Sequence, residues 1–360
     1  MRVAIDVSPL SRPRTGVGSY LLGMVAGLAA LPADEGVEVV AFAPASRRGA
    51  RRIAETLAGV PLELRTWRVP YPHAWRTVWS RLGRPGAERL LGPLDVLHFS
   101  DWMYPPQRAG VRATTVYDLV PLRFPEWVTP RTRRMHLAKL EHARRTCDVV
   151  FCDSAFTAQD VVERLELDPG RVQVAYPGID PRYRPDGEPA GRPAPYVLAV
   201  STLEPRKNVG VLVQAFRLLR RVRPELELVV AGAVGWGDQP GLDAPGVVAL
   251  GFVGAEELAR LYRDAAAFAY PSRFEGFGLP VVEAMASGVA AVVSSHPSLD
   301  EACGGAALRA GPDSPEELAE ALERALAAPD DLRRRGLEHA RSFTREACAR
   351  AVLAGYRSAV

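Results

Sequence analysis

Two glutamates near the end of the chain, Glu275 and Glu283, have seven residues between them. The apolar run before Glu275 is typical of a buried strand, and Pro280 suits the first position of a following helix because its missing N–H costs nothing there. Glu275 would then lie in a strand-to-helix loop and Glu283 just inside the helix. The helix start offers N–H groups to a phosphate, and carboxylates accept sugar hydroxyls. A nucleotide sugar contains both a diphosphate and sugar hydroxyls.

The same spacing also has an explanation that needs no ligand. A glutamate near a helix N-terminus is favourable because of the helix dipole. Gly276 and Gly278 would let the backbone approach a ligand closely. Spacing alone therefore leaves a binding site and an ordinary helix start equally open.

Two adjacent cations, Arg206 and Lys207, follow the first strand of the second half. Cleavage of a sugar–phosphate bond leaves negative charge on the departing nucleotide, and fixed cations stabilise it. The alternative is a solvated surface pair, but their place after a strand favours function. Asn208 is expected to cap the next helix. No D-x-D pair, which metal-dependent sugar transferases usually carry, occurs in the chain. We therefore expect neither a metal ion nor another cofactor.

Gly16 and Gly18 follow the first strand and could hold backbone close to a phosphate. A lone G-x-G is a weak signal, and a dehydrogenase is the obvious alternative. A dinucleotide-binding fold needs an acidic residue after its second strand, whereas this strand ends in Phe42, Ala43 and Pro44. The long loop before the helix also disfavours that fold.

Short apolar runs alternate with helical segments in two series, which predicts parallel sheets covered by helices on both faces. A stretch rich in proline, glycine and charge separates the series and suits a linker. The expected strands of the first series are Arg2–Val7, Val37–Phe42, Val96–Phe99, Ala113–Tyr117, Val149–Cys152 and Val172–Val174. Those of the second series are Tyr196–Val200, Leu226–Ala231, Val247–Gly251, Ala266–Tyr270 and Val289–Val293.

Composition narrows the possible partners. Residues 1–182 carry 25 Lys and Arg against 19 Asp and Glu, whereas the remainder carries 20 against 23, so the +3 chain has a basic first part. Its 48% apolar content suffices for full cores. The four unpatterned cysteines argue against zinc and fit a reducing cytoplasm. We expect neither a signal peptide nor a membrane span.

Two segments of the first half combine cations with aromatic or helical patterns, namely Trp67–Leu90 and Arg131–Arg145. Such segments suit a membrane interface or a glycan acceptor. An anionic phospholipid or a lipid-diphosphate acceptor would match the basic charge. Nucleic acid is disfavoured because no recognised motif accompanies the cations. An ordinary solvated face remains equally open.

The stretch Arg273–Ser294 resembles the E-x7-E signature of retaining glycosyltransferases with the GT-B fold, especially family 4. The resemblance implies an α/β chain with two Rossmann-like, doubly wound parallel-sheet domains facing a cleft. It implies that Glu275 binds hydroxyls of the donor sugar and Glu283 the ribose. The backbone that would meet the sugar and diphosphate belongs to Gly276, Phe277, Gly278 and Leu279.

Other positions resemble further donor-binding segments of this family. Arg206 and Lys207 match its R-K-N motif and would reach the diphosphate. The first loop would face the diphosphate, and a later Gly-Phe-Val segment would bind the base through its backbone. The residues concerned are Gly16 and Gly18 in the former and Phe252 and Val253 in the latter.

The segment Val116–Trp127 resembles one that in the family usually begins with a histidine beside the donor sugar. Here that position is Tyr117, which can hydrogen-bond a hydroxyl but carries no charge near neutral pH. The role of the histidine is therefore not transferred. Asp118 matches the family and would orient the sugar or acceptor, although a turn or helix-cap role is equally open.

The resemblance implies an acceptor-binding domain at residues 1–182, a hinge at 183–195, a nucleotide-sugar domain at 196–340 and a final helix at 341–360 that crosses back. We expect a retaining, metal-independent transferase that moves a hexose to a hydroxyl of a glycan or lipid-linked acceptor. GDP-mannose is the first choice of donor because Val116–Trp127 resembles mannosyltransferases, with UDP- and dTDP-sugars open. We expect a cytoplasmic protein, with peripheral contact to an anionic membrane through the basic domain as an option.

Two alternatives remain. One is another nucleotide-sugar enzyme of the same fold, such as a 2-epimerase or a sugar-phosphate synthase. An epimerase needs acid and base groups that move a ring proton, and no convincing set is present. The other is a non-catalytic glycan- or membrane-binding module, against which Glu275, Glu283, Arg206 and Lys207 weigh.

Overall fold

The computed structural model describes residues 1–235 and 241–360. The chain forms two compact units. The first comprises Met1–Gly178 together with Phe343–Val360, and the second comprises Ile179–Ser342. Each has its own sheet, so the predicted pair of parallel-sheet α/β domains is confirmed.

The first unit contains a seven-stranded sheet, all of whose described pairings are parallel. The spatial order is β3-β2-β1-β4-β5-β6-β7. The strands are β1 (Arg2–Asp6), β2 (Glu38–Ala45), β3 (Glu63–Arg68), β4 (Val96–Phe99), β5 (Val111–Val116), β6 (Val149–Cys152) and β7 (Val172–Val174). Strand β3, a half-buried edge strand with several charged residues, was not predicted from the sequence.

Helices cover both faces of this sheet. In β1 the side chains of Val3 and Ile5 join one core and Ala4 joins another, because successive residues of a strand point to opposite faces. The helices are α1 (Gly16–Ala29), α2 (Arg47–Thr56), α3 (Pro72–Leu82), α4 (Ala87–Leu91), α5 (Val120–Arg123), α6 (Pro130–Thr146) and α7 (Ala155–Leu165).

The second unit contains a six-stranded sheet in the order β10-β9-β8-β11-β12-β13, again with parallel pairings. Its strands are β8 (Tyr196–Val200), β9 (Glu227–Ala231), β10 (Val247–Gly251), β11 (Ala267–Tyr270), β12 (Ala291–Ser294) and β13 (Ala307–Ala310). Its helices are α8 (Val209–Leu219), α9 (Ala255–Asp264), α10 (Leu279–Ala286), α11 (Asp300–Cys303), α12 (Pro315–Ala327) and α13 (Asp330–Ala340). The edge strand β13 was not predicted.

The last helix, α14 (Arg345–Ser358), packs against α1 in the first unit. Glycines on α1 permit the close approach. A Cβ atom on Gly23 would lie 2.3 Å from the carbonyl oxygen of Gly178, and one on Gly27 would lie 2.2 Å from that of Arg345. The chain therefore leaves and re-enters the first unit beside the same helix.

The proline-rich stretch between the two sheets forms neither a helix nor a strand in the described structure. It is fixed to α9 of the second unit. The guanidinium group of Arg263 donates to the carbonyl oxygens of Arg182, Arg184 and Glu188 at 2.7, 3.0 and 3.1 Å. Among the helices of the described ranges, none has the length and apolar character that crossing a bilayer demands.

Candidate active site

The second sheet reverses its strand order between β8 and β11, which are neighbours. Ligands of open α/β sheets bind at the carboxyl ends of the strands at such a point. Arg206 and Lys207 lie in a short 3-10 turn after β8. Glu275 lies in the loop after β11. The topology therefore brings together residues that are almost 70 positions apart in the sequence.

Glu275 accepts hydrogen bonds from both cations. Nη1 of Arg206 lies 2.7 Å from Oε2, and Nζ of Lys207 lies 2.6 Å from Oε1. Tyr270, the last residue of β11, donates its hydroxyl to Oε1 at 3.0 Å. Nζ of Lys207 also donates to that hydroxyl at 3.1 Å. These four side chains form one network.

The network is almost dry, since Glu275 is 6% and Lys207 8% exposed. Burial alone would raise the pKa of Glu275, but the charges of Arg206 and Lys207 and the lysine hydrogen bond outweigh it and lower the pKa to about 2. Burial and the charge of Arg206 lower the pKa of Lys207. Burial and the charge of Glu275 raise the pKa of Tyr270, which stays a neutral donor.

A second carboxylate balances the cations. Nε of Arg206 lies 2.6 Å from Oε1 of Glu204, with both side chains 18% exposed. Arg206, Lys207, Glu204 and Glu275 thus carry two positive and two negative charges. An anionic ligand at this edge would meet cations that carboxylates already neutralise.

Backbone contacts fix the position of Glu275. Its N–H donates to Oγ of Ser298 at 3.0 Å, and the N–H of Arg273 donates to the carbonyl oxygen of Arg206 at 2.8 Å. Gly278 then precedes α10 as its N-cap residue with φ 104°, where a Cβ would lie 2.6 Å from Leu299. Only glycine fits this left-handed, crowded position.

Glu283 lies in the second turn of α10 and is buried. The hydroxyl of Tyr262, on α9, donates to its Oε2 at 3.2 Å. Pro280 occupies the second helical position, one later than expected, because Leu279 is the first residue of α10. Gly288, with φ 76°, follows the end of the helix as expected.

The other predicted donor-binding residues of this unit also lie at the carboxyl edge of the sheet. Gly276 and Phe277 are buried in the loop before α10, and Leu279 is half-buried. Phe252, which is 51% exposed, and Val253 lie between the edge strand β10 and α9. Strand order places β10 two strands from β8, away from the Glu275 network.

The expectation that Asn208 caps the next helix is wrong for its side chain. Asn208 adopts φ 60° and ψ 33°, whereas a capping residue is typically extended. Its amide nitrogen instead donates to the carbonyl oxygens of Pro271, at 3.2 Å, and Pro312. It thereby ties the turn after β8 to the loop after β11.

In the first unit, Gly16 and Gly18 lie in the first turn of α1. Neither has a positive φ, and a Cβ on Gly16 would meet nothing within 4 Å. The N-terminus of α1 follows β1, which neighbours β4 at the switch point of this sheet. The glycines are therefore part of a regular helix start rather than of a loop.

Tyr117 and Asp118 follow β5, one strand beyond the first switch point. The ring of Tyr117 packs edge-on against Tyr20 with centroids 5.2 Å apart, and burial raises the pKa of its hydroxyl. Oδ1 of Asp118 accepts the N–H of Val120, the first residue of α5, at 3.0 Å. The turn or helix-cap role of Asp118 is thus present in the structure.

Comparisons with known proteins agree with this geometry. Residues 14–183 match the model of Glycosyltransferase Family 4, and residues 194–328 match the model of Glycosyl transferases group 1. The chain belongs to glycosyltransferase family 4. As a glycosyltransferase of the GT-B type it is an enzyme, so the non-catalytic alternative falls away.

Relatives of this glycosyltransferase span its whole length. O-antigen chain mannosyltransferase B of Escherichia coli is 28% identical over 99% of this chain and 100% of its own. A D-inositol 3-phosphate glycosyltransferase of a Nocardioides species is 27% identical over 99% of this chain and 89% of its own. HepE of Anabaena, solved with UDP-glucose, shares the fold with a TM-score of 0.73, 15% identity and 100% coverage of both chains.

Three residues of this site in the glycosyltransferase were not identified from the sequence, namely Tyr270, Glu204 and Ser298. Tyr270 ends an apolar run, so its hydroxyl looked like part of a buried strand. Glu204 stands two residues before Arg206, a spacing that could have suggested a pair. No local signal links Ser298 to Glu275, because the contact depends on the return of the chain through β12.

Proposed function

We propose that this glycosyltransferase transfers mannose from GDP-mannose to a hydroxyl group of a glycan or lipid-linked acceptor, with retention of configuration and without a metal ion. The observation that carries the proposal is the dry network of Glu275, Arg206 and Lys207 at the switch point of the second sheet. The Escherichia coli relative, named an O-antigen chain mannosyltransferase, supports mannose and a polysaccharide acceptor.

Each group has a role in the proposed reaction. The cations Arg206 and Lys207 stabilise the charge that grows on the departing diphosphate, which replaces the function of a metal ion. Glu275 holds hydroxyls of the sugar and Glu283 holds the ribose. The bond from the anomeric carbon to phosphate breaks while the acceptor oxygen bonds to the same face. The proton of the acceptor passes to the departing phosphate, so no protein nucleophile takes part.

A ligand panel tests the donor. Thermal unfolding is measured with GDP, UDP, dTDP and ADP, each with Mg²⁺ and with EDTA, since a ligand of the native state raises the melting temperature. We expect a selective rise with GDP that EDTA leaves unchanged. A selective rise in melting temperature with UDP would indicate a UDP-sugar as the donor. A rise that needs Mg²⁺ would contradict metal independence.

Product analysis tests transfer and stereochemistry. GDP-mannose labelled with ¹³C at the anomeric carbon is supplied with a mannose-terminated acceptor, and the product is examined by NMR. We expect an α-linked mannoside, as in the donor. A β-linked product would overturn retention, and transfer only to an added sugar phosphate such as glucose 6-phosphate would indicate the sugar-phosphate alternative.

A further inference from the structure

A groove opens between α3 and α6 of the first unit, with a cavity of about 560 Å³. Its floor is formed by Trp102 and Tyr104, from the segment after β4. A site for a small ligand typically has a volume of a few hundred Å³ or more. None of the proposed donor-binding residues lines it.

The walls of the groove are largely apolar. Ala74 and Val78 on α3 are four residues apart and share one helical face, and Met135 and Ala138 on α6 are three residues apart and also share one face. Val78 is 52% exposed. Sites for small ligands are typically concave and lined mostly by apolar side chains, which these walls match.

The polar groups of the groove are largely engaged within the protein. Oγ1 of Thr77 donates to the carbonyl oxygen of His73 at 2.9 Å, and Oγ of Ser80 accepts the N–H of Tyr104 at 3.3 Å. Burial and the charge of Arg131 lower the pKa of His73, whose Nε2 accepts from Arg131 at 3.0 Å. A bare saccharide needs many hydrogen-bonding partners, so these walls match it poorly.

The groove also has a strong positive charge. Arg81 on α3 and Arg131 and Arg134 on α6 line it, and its described lining residues include no acid. Guanidinium groups bind phosphate oxygens in a bidentate manner. Apolar walls with three arginines fit a molecule that joins an apolar chain to a phosphate or diphosphate.

Trp102, which lines the groove, also contacts a residue that is paired with carboxylates of the first switch point. The guanidinium of Arg76 lies 4.5 Å from the ring centroid of Trp102. Its Nη2 lies 2.9 Å from Oδ2 of Asp101 and 3.6 Å from Oδ2 of Asp6. Asp6 is the last residue of β1 and Asp101 follows β4, at the edge where ligands of such sheets bind.

We propose that the groove holds the phosphate and the first part of the apolar chain of a lipid-linked acceptor. The arginines bind the phosphate, the α3 and α6 walls hold the chain, and the saccharide extends past Trp102 towards Asp101. This assignment rests on the proposed function. Of the two acceptor classes proposed there, it favours the lipid-linked acceptor over a free glycan.

Binding of farnesyl diphosphate, a soluble isoprenoid diphosphate, tests the groove by calorimetry on the full chain. GDP is kept saturating so that the donor site is filled. We expect farnesyl diphosphate to bind at least 10-fold more tightly than inorganic diphosphate or farnesol alone. Equal affinities for farnesyl and inorganic diphosphate would overturn the proposal.

Two pairs of variants locate the site. Met135→Glu and Arg134→Ala should each weaken binding at least 5-fold. Their matched controls, Leu82→Glu on α3 and Arg145→Ala on α6, change residues that are 67% and 68% exposed and lie outside the lining, and should leave binding unchanged. Arg134 is exposed, so its variant tests the groove even if Met135→Glu fails to fold.

Vesicles of phosphatidylglycerol distinguish the groove from a general membrane contact. If Leu82→Glu and Arg145→Ala weaken both vesicle and farnesyl diphosphate binding as much as the groove variants do, the basic face binds a bilayer and the proposal is wrong. The mannosyl-transfer assay is independent of this result. Mannosyl transfer without farnesyl diphosphate binding would overturn only the assignment of the groove. Farnesyl diphosphate binding without mannosyl transfer would overturn only the proposed function.

Discussion

At the second switch point, Glu275 is enclosed by Arg206, Lys207 and Tyr270, and opposite charges are paired at 2.6 to 2.7 Å. At the first switch point, Asp6 is fully buried, and its nearest cation, Arg76, lies 3.6 Å away. Both sheets reverse their order there, so the same topology supports two kinds of site. The second edge presents charged groups that are already held in close ion pairs. The first edge lies beside the aromatic and basic groove.

The difference follows from what each edge must recognise. A nucleotide-sugar donor carries a diphosphate and a sugar, so fixed charges in a dry pocket suit it. Acceptors differ in shape and polarity, and a groove between two helices can change without altering the sheet. We infer that the second unit holds the chemistry and the first unit selects the acceptor.

The largest effect is expected at Glu275. Glu275→Gln keeps the shape of the side chain but removes the charge that holds Arg206 and Lys207, so kcat for transfer should fall about 100-fold or more. The matching change in the first unit, Asp118→Asn, should lower kcat less than about 10-fold because Asp118 already accepts the N–H of Val120. Steady-state kinetics with GDP-mannose measures both.

Folding must be checked for each variant by thermal unfolding and circular dichroism. An equal loss of kcat in both variants would contradict the division of labour between the units. An unchanged kcat in Glu275→Gln would remove Glu275 from the proposed sugar site.

The buried carboxyl groups at the two edges should change the stability of the protein with pH in opposite directions. The lowered pKa of Glu275, about 2, makes its carboxylate stabilising above its unfolded pKa, and this contribution is lost as pH falls towards 2. Over the full window it is worth roughly 3 kcal/mol. Burial raises the pKa of Asp6, with Arg76 and Ser8 opposing, so stability falls as pH rises from about 4 towards the folded value.

Urea unfolding between pH 3 and 7, resolved for each unit by hydrogen exchange, compares the wild type with Glu275→Gln and Asp6→Asn. The stability deficit of Glu275→Gln should shrink as pH falls below about 4. Asp6→Asn should lose stability less steeply than the wild type as pH rises. Parallel pH profiles for all three proteins would show that the carboxyl groups do not differ in this way.

Much of the fold was predictable because both sheets are built from apolar runs between helical segments. The strands β3 and β13 were missed since edge strands need less apolar character than central ones. The positions of Glu275, Arg206 and Lys207 in loops after strands were predictable, because each lies in a short motif that directly follows a predicted strand. Their mutual contact needed the strand order, which places β8 beside β11.

The rest of the molecule depends on long-range contacts. Asn208 was misjudged because its left-handed conformation is set by the carbonyl groups of Pro271 and Pro312, which lie far along the chain. The groove needs α3 and α6 to meet across some fifty residues, and periodicity within either helix does not reveal its partner. The Trp67–Leu90 segment was interpreted as one surface, whereas it contributes the end of β3, all of α3 and part of α4.

The smallest effect sharpens the electrostatic side of the comparison. Glu204 neutralises Arg206 at 2.6 Å, so Glu204→Gln should free positive charge for the diphosphate. Because both groups are partly exposed, the gain should be about 1 kcal/mol or less, which is up to about 5-fold tighter GDP binding by calorimetry. The matched control is Glu323→Gln, which breaks the Arg223 pair on the outer surface of the same unit and should leave GDP affinity unchanged. Weaker GDP binding in Glu204→Gln would mean that Glu204 positions Arg206 for the ligand rather than competing with it, and the second edge would then depend on its carboxylates for geometry more than for charge.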